Sequence, residues 1–425
     1  METLKIVMVG HVDHGKSTLV GRLLHETGFI PESKLKHVQK VCEDQGKGFE
    51  FAFLLDALEE ERDQGITIDV SQMFFKTRKR NVVIIDAPGH KEFLKNMVSG
   101  ASNADVAFLL IDAEEGIQEQ TQRHAYLLSL LGIGQIAVVV NKMDLVDYSE
   151  EVFNKTREVY GKYLESIQVK PAAFIPISAT RGENVMTRSR KMPWYAGPSI
   201  LEILDGFSTR DDRSKAPFRF PVQDVYKFDK RRILAGRVES GAAAVGDEVL
   251  FLPSGKSTKI RTVEKWNPPQ SVGGQASPAP KRAAAGESVG FTMEEQVFVE
   301  RGDIGCLFSD RPLVSDRFQA NLFWMGTKHL QKGGRYILKI ATQEIECVVE
   351  SILKVIDSST LEEISRNAHE VAKNEVAELI LTTKKPIAFD TFDRIPETGR
   401  FVIVSDHDVR GGGIILKKVE HFSAI

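Results

Sequence analysis

The sequence predicts an α/β domain on a doubly wound, mostly parallel sheet, followed by two small β-rich domains. Three observations predict it. Over residues 1 to about 205, short apolar runs alternate with amphipathic stretches, the pattern of repeated βαβ units. The stretch "KIVMVGHVDHGKSTLVGRLL" sets a Gly-x4-Gly-Lys-Ser run between the first apolar run and a helix-like segment. After the polar linker "STRDDRSKAP" the pattern changes to short strands and frequent turns.

The apolar runs at residues 6–9, 82–85, 106–111, 136–140 and 174–177 read as the strands of the sheet. "STLVGRLLHETG" reads as its first helix, which Gly28 can close. "EQTQRHAYLLSLLGIG" carries apolar residues at helical spacing. Beyond the linker, "FRFPVQDVYKF", "RILAGRVESG" and "GDEVLFLPSGKSTKIRTVE" read as a small barrel. Residues 267–286, "NPPQSVGGQASPAPKRAAAG", read as a surface loop, with a partner contact as the alternative. From about Val314 a third segment is again β-rich, with "NLFWMG", "RYILKIATQEIECVVESILKVID" and "GRFVIVSDHDVRGGGIILKKV". The expected domains are 1–212, 213–312 and 313–425.

At 425 residues the chain exceeds one ordinary core. A formal net charge of -3 argues against a protein that coats nucleic acid non-specifically, and leaves a specific RNA ligand open. Cys42, Cys306 and Cys347 lie far apart with no CxxC pair, which points away from disulfides or a cysteine zinc site and towards a reducing cytosol. The chain starts directly in a strand, and no window approaches about 18 uninterrupted apolar residues. Neither a secretory leader nor a membrane span is expected, and the expected location is cytoplasmic.

In the run Gly10-His11-Val12-Asp13-His14-Gly15-Lys16-Ser17-Thr18 the glycines permit conformations that turn main-chain amides inward as a nest for phosphate oxygens. The helix starting near Lys16 adds its positive end. Lys16 is placed to reach the β- and γ-phosphates, and the Ser17 hydroxyl to complete a Mg²⁺ shell. His11 and His14 could suggest a metal cluster. The loop backbone has to face phosphate, so these side chains are expected to point outward or to pack on neighbouring switch segments.

Asn141-Lys142-Met143-Asp144 follow the apolar run 136–140. A carboxylate at Asp144 accepts from both N1–H and the exocyclic amine of guanine, whereas adenine leaves it desolvated and unpaired. Asn141 can support the same base, the Lys142 stem can cover the ring, and Ser178-Ala179 fit a loop backing the base. The nucleotide indicated is GTP. In "VVIIDAPGHKEF", Asp86 can hold Mg²⁺ through water, Gly89 can sense the γ-phosphate, and His90 stands where a residue orients the attacking water. In "ERDQGITID", Thr67 suits Mg²⁺ in a switch ordered around GTP, and the acidic run 59–63 reads as a solvated helix face. Val12 and Ile66 could form an apolar gate between His90 and the water.

With the β-rich tail, these motifs resemble the translation-factor class of GTPases, in which a P-loop GTPase domain precedes two β-barrels. Within the class the chain is similar to the GTPase (large) subunit of heteromeric sulfate adenylyltransferase, or ATP sulfurylase. The similarity lies in "EFAFLLDALEEERDQGITIDV", "LLGIGQIAVVVNKMDLVDYSEEVF", "ENVMTRSRKMPWYAGPSILEIL", "FRFPVQDVY" and "NLFWM". That resemblance implies a heteromer with a small catalytic subunit, which joins ATP and sulfate into adenosine 5′-phosphosulfate and pyrophosphate. It implies that GTP hydrolysis drives this uphill step.

The alternative resemblance is to elongation factor 1A/Tu, which carries aminoacyl-tRNA. "GHVDHGKST" resembles that family more closely, and "IIDAPGH" and "NMVSGAS" are shared by both. "RILAGRVESG" departs from the Thr-Gly-Arg that elongation factors favour. There is no second Gly-x4-Gly-Lys-Ser run, so no fused kinase is expected.

Overall fold

The computed structural model describes residues 3–30, 32, 33, 35, 36, 40, 44, 51, 71–86, 104–208, 215–228, 231–265 and 280–420. Thr67, Ile66, Gly89 and His90 lie outside the described residues, as does the side chain of Asp86. The chain divides into two compact units, Met1–Thr209 with Ser358–Leu361, and Arg210–Asp357 with Glu362–Ile425.

The first unit is built from β1 (Thr3–Gly10), α1 (Lys16–Glu26), β2 (Ser71–Lys76), β3 (Asn81–Asp86), β4 (Val106–Asp112), α2 (Glu119–Leu130), β5 (Gln135–Asn141), α3 (Glu150–Ser166), β6 (Ala173–Pro176) and α4 (Ile200–Gly206). Its strands lie in the order β2-β3-β1-β4-β5-β6. All neighbours are parallel except β2, which pairs antiparallel to β3 at the edge. β3 and β4 flank β1, so the winding reverses there and the chain leaves a crevice at the carboxyl end of β1. Every residue of β4 is buried, as a central strand covered on both faces requires, which is why it reads as an unbroken apolar run. Alternate residues of β1 (Leu4, Ile6, Met8) pack with Leu19, Val20, Leu23 and Leu24 of α1. α1 ends where Gly28, at φ +73°, donates to the His25 carbonyl, the left-handed exit that the glycine allows. α4 opens with a reciprocal cap in which Ser199 accepts from the Glu202 amide and Glu202 accepts from the Ser199 amide.

The second unit contains a closed six-stranded barrel. Around it run Glu248–Leu252, Lys256–Glu264, Ser288–Met293, Arg231–Arg237, Phe220–Phe228 and Ile304–Leu307. Phe218, Phe220, Phe251 and Phe291 fill its core, with Phe220 and Phe291 edge to face at 4.7 Å. The loop expected over 267–286 is corrected at its end. Arg282–Ala284 form a strand paired antiparallel with Ala242–Ala244. Residues 267–279 fall outside the described residues.

The third β-rich segment forms a seven-stranded sheet in the order Arg335–Ile340, Arg400–Ser405, Asp408–Lys418, Leu313–Trp324, Glu375–Phe389, Gln343–Asp357 and Glu363–Ala368. Arg335–Ile340 also pairs with Gln343–Asp357, which closes six of these strands into a second barrel. Within this unit Arg219 and Asp390, both with side chains fully buried, meet through Nε–Oδ2 at 2.8 Å and Nη2–Oδ1 at 2.9 Å. Nη1 donates to the carbonyls of Phe218 and Asp310, and Thr398 Oγ1 donates to Asp390 Oδ2. A buried ion pair is tolerable when its remaining valences are satisfied in this way. Among the described residues, no helix is long and apolar enough to cross a membrane.

Candidate nucleotide site

The phosphate-loop sequence spans the short gap between β1, ending at Gly10, and α1, starting at Lys16. Gly15 caps α1 in the left-handed conformation, φ +84°, and a Cβ there would collide with Asn141 Nδ2. The first intrahelical bond runs from the Leu19 amide to the Gly15 carbonyl at 3.0 Å. The amides ahead of it therefore have no helical acceptor and open the helix as an anion-receiving end. Ser17 and Thr18 occupy the first turn, half-buried, and Val12 and Asp13 are exposed at the loop tip. Lys16 Nζ donates to the carbonyls of Gly10 at 3.0 Å and His11 at 2.6 Å, folded over its own loop.

The expectation for His14 is corrected. Its side chain is fully buried rather than outward-facing, because Nδ1 donates to the Leu110 carbonyl of β4 at 3.2 Å. Nε2 faces Glu115 Oε2 at 3.3 Å. Burial lowers the pKa of His14, the Leu110 bond opposes that, and His11 adds to the lowering. Both ring nitrogens face acceptors, the Leu110 carbonyl and the Glu115 carboxylate. His11 meets His14 edge to face at 5.2 Å. Among the described residues no group of histidine, cysteine and carboxylate side chains is placed to hold a metal.

On the other side of the crevice, Asn141 is buried at the end of β5. Its Nδ2 donates to the His14 carbonyl and its Oδ1 accepts from the Ala179 amide, each at 3.0 Å. Both polar ends bond inside the protein, so Asn141 ties the loop that carries His14 to the loop at Ala179. Ser178 is fully buried, and its hydroxyl accepts from the Arg181 amide. Lys142 adopts a left-handed backbone, φ +61°, and its Nζ lies 2.6 Å from Asp112 Oδ2. Burial alone would lower the Lys142 pKa, but the Asp112 hydrogen bond and charge raise it. Burial likewise pushes Asp112 up, and the Lys142 bond with the Glu114 and Glu115 amides brings it below the usual carboxylate range. Asp144 lies half-buried in the short 3₁₀ turn Met143–Val146, with no hydrogen bond from the described residues.

The structure thus brings together residues 10–18, 141–144 and 178–179. It adds two residues that sequence reasoning missed. Asp112 gave one faint signal, an ionisable residue closing an unbroken apolar strand. His124 gave none. Its pKa is pushed down to about 3 by burial first, then by the charges of Lys16, Arg123, His11 and His14. Its Nδ1 has no hydrogen-bond partner among the described residues.

Comparison with known proteins agrees with this geometry. The model of the elongation factor Tu GTP-binding domain matches residues 1–210, and that of the GTP-eEF1A C-terminal domain-like region matches residues 317–416. The chain is 38% identical to sulfate adenylyltransferase subunit 1 of Alteromonas mediterranea, over 98% of this chain and 88% of that protein. It is 38% identical to the protein of the same name from Chromobacterium violaceum, over 99% and 87%. It is also 38% identical to elongation factor 1-alpha of Natronomonas pharaonis, over 94% of each chain. By nearly full-length similarity, the chain belongs to the sulfate adenylyltransferase subunit 1 family of elongation factor Tu-type GTPases.

Proposed function

We propose that this chain is the GTP-hydrolysing subunit of a sulfate adenylyltransferase. It works in a cytoplasmic heteromer with a small catalytic subunit that forms adenosine 5′-phosphosulfate from ATP and sulfate. The observation that carries this reading is the near full-length similarity to subunits of that enzyme. The three domains are assigned as 1–212, 213–312 and 313–425.

In this reading the amides of Gly10, His11, Val12, Asp13, His14 and Gly15 cradle the phosphates, and Lys16 leaves its own loop carbonyls for the β- and γ-phosphates. Ser17 and Thr67, with Asp86 through water, would hold Mg²⁺, and Thr18 extends the phosphate contacts. When bound, Mg²⁺ neutralises charge building on the transferred phosphoryl group. The first-turn position of Ser17 fits that group. Gly89 senses the γ-phosphate, His90 orients the water, and Val12 with Ile66 gates it. Asp144 pairs with guanine, with Asn141, Lys142, Ser178 and Ala179 shaping its pocket.

The test is reconstitution of the full chain with an adenylyltransferase small subunit. Pyrophosphate release from ATP and sulfate is followed with GTP and with a non-hydrolysable analogue. Stimulation by GTP alone is expected, and no stimulation overturns the coupling. The second reading, delivery of aminoacyl-tRNA, is favoured by the equal identity to elongation factor 1-alpha. GTP-dependent capture of aminoacyl-tRNA, without any effect on pyrophosphate release, would replace the first reading by the second.

A further inference from the structure

The carboxylate at the buried end of β4 divides its two oxygens between different tasks. Asp112 is 1% exposed. Oδ1 accepts the amides of Glu114 at 2.8 Å and Glu115 at 3.3 Å, and the main-chain carbonyl accepts from Gly116 at 2.9 Å. These bonds shape the turn 112–116. Oδ2 is left for Lys142 Nζ at 2.6 Å, a charge-assisted contact in the strong range. The lysine arrives there from a left-handed backbone that L residues seldom adopt without compensation. Its side chain is 29% exposed against a carboxylate that is almost fully buried, so water screens the pair little.

We propose that Asp112 is a positioning residue of the nucleotide site, holding the Lys142 ammonium so that the lysine stem stays laid along the base side and slows nucleotide release. The proposal rests on the guanine-nucleotide reading above. A lysine without an anchor samples many rotamers and loses much of its time to solvent. Asp112 itself touches no nucleotide and acts through Lys142. The same bond sharpens the structural meaning of the base motif. Its lysine is tied to β4, its asparagine to the phosphate loop, and only Asp144 is left without a protein partner among the described residues.

The experiment measures release of a fluorescent N-methylanthraniloyl-GDP from the full chain, chased with excess GDP. Wild type, Asp112→Asn, Lys142→Ala and the double variant are compared. Asp112→Asn keeps an acceptor for the turn amides but turns the other position into a donor, which cannot hold an ammonium. Each single variant is expected to release the nucleotide about tenfold faster, the order of one charge-assisted bond, and the double variant no faster than Lys142→Ala. Release by Asp112→Asn at the wild-type rate, even with lowered thermal stability, overturns the proposal, and so do effects that multiply in the double variant. Should Asp112→Asn not fold, Lys142→Arg is expected to keep slow release and Lys142→Met to lose it. Equal rates for those two overturn the proposal. Wild type that fails to bind the GDP probe, or gives it up equally to ADP, overturns the guanine reading and the proposal with it, which separates the two failures.

Discussion

The side-chain amide of Asn141 donates to the main-chain carbonyl of His14 at 3.0 Å, across 127 residues of sequence. Its oxygen takes the Ala179 amide at the same distance, so one buried side chain holds the loop after β1 and the loop after β6 in register. Asn141→Ala orphans a buried carbonyl and a buried amide, each costing about 1–3 kcal/mol. Because the two loops lose their shared tie, GDP affinity is also expected to fall, by about tenfold in titration calorimetry. Unchanged affinity would remove Asn141 from the site's support.

Asp144 offers two acceptor oxygens with no protein donor among the described residues. Asp144→Asn converts one acceptor to a donor, which suits the carbonyl of xanthine and opposes the amine of guanine. Competition binding is expected to shift preference from GTP to XTP. Retained GTP selectivity would sink the base assignment.

His124 is held neutral, with its pKa pushed down to about 3 from an ordinary 6.5. Between those values the unfolded chain binds a proton that the folded chain refuses. The stability contribution is therefore complete above pH 6.5 and is lost as pH falls towards 3, at about 1.4 kcal/mol per pH unit. His124→Phe is expected to flatten that acid slope in urea unfolding of the full chain between pH 7 and pH 4. Identical slopes would rule His124 out as the source.

Asp390→Ala leaves the fully buried Arg219 guanidinium without its carboxylate. Removing one partner of a buried pair costs about 3–5 kcal/mol. The urea midpoint of the second unit is expected to fall accordingly, while Arg219→Met with Asp390→Leu recovers much of the loss. A midpoint within error of wild type for Asp390→Ala would show the pair to be dispensable.

Legibility followed the range of the physical signal. β1, β3, β4 and β5 were readable because a strand buried on both faces must be a continuous apolar run. β2 was missed because "SQMFFK" alternates, with Phe74 exposed and Phe75 buried, as a half-covered edge strand does. Around the site, the turn after β1 and the start of α1 at Lys16 were legible from local spacing. The inward turn of His14 was not, because its direction is decided by a carbonyl on β4 and a carboxylate beyond it. Asp112 and His124 acquire their meaning from surroundings that the fold brings up, Lys142 in one case and burial, with the Lys16 charge behind it, in the other.

The bond between Arg219 and Asp390 also has a mechanical reading. The arginine directly precedes the first strand of one barrel and the aspartate directly follows a strand of the other, so the pair acts as a rivet between them. Two parallel hydrogen bonds resist twisting as well as pulling, in a way that a single contact cannot. A protein that gripped either barrel would turn both, and would sense them as one handle.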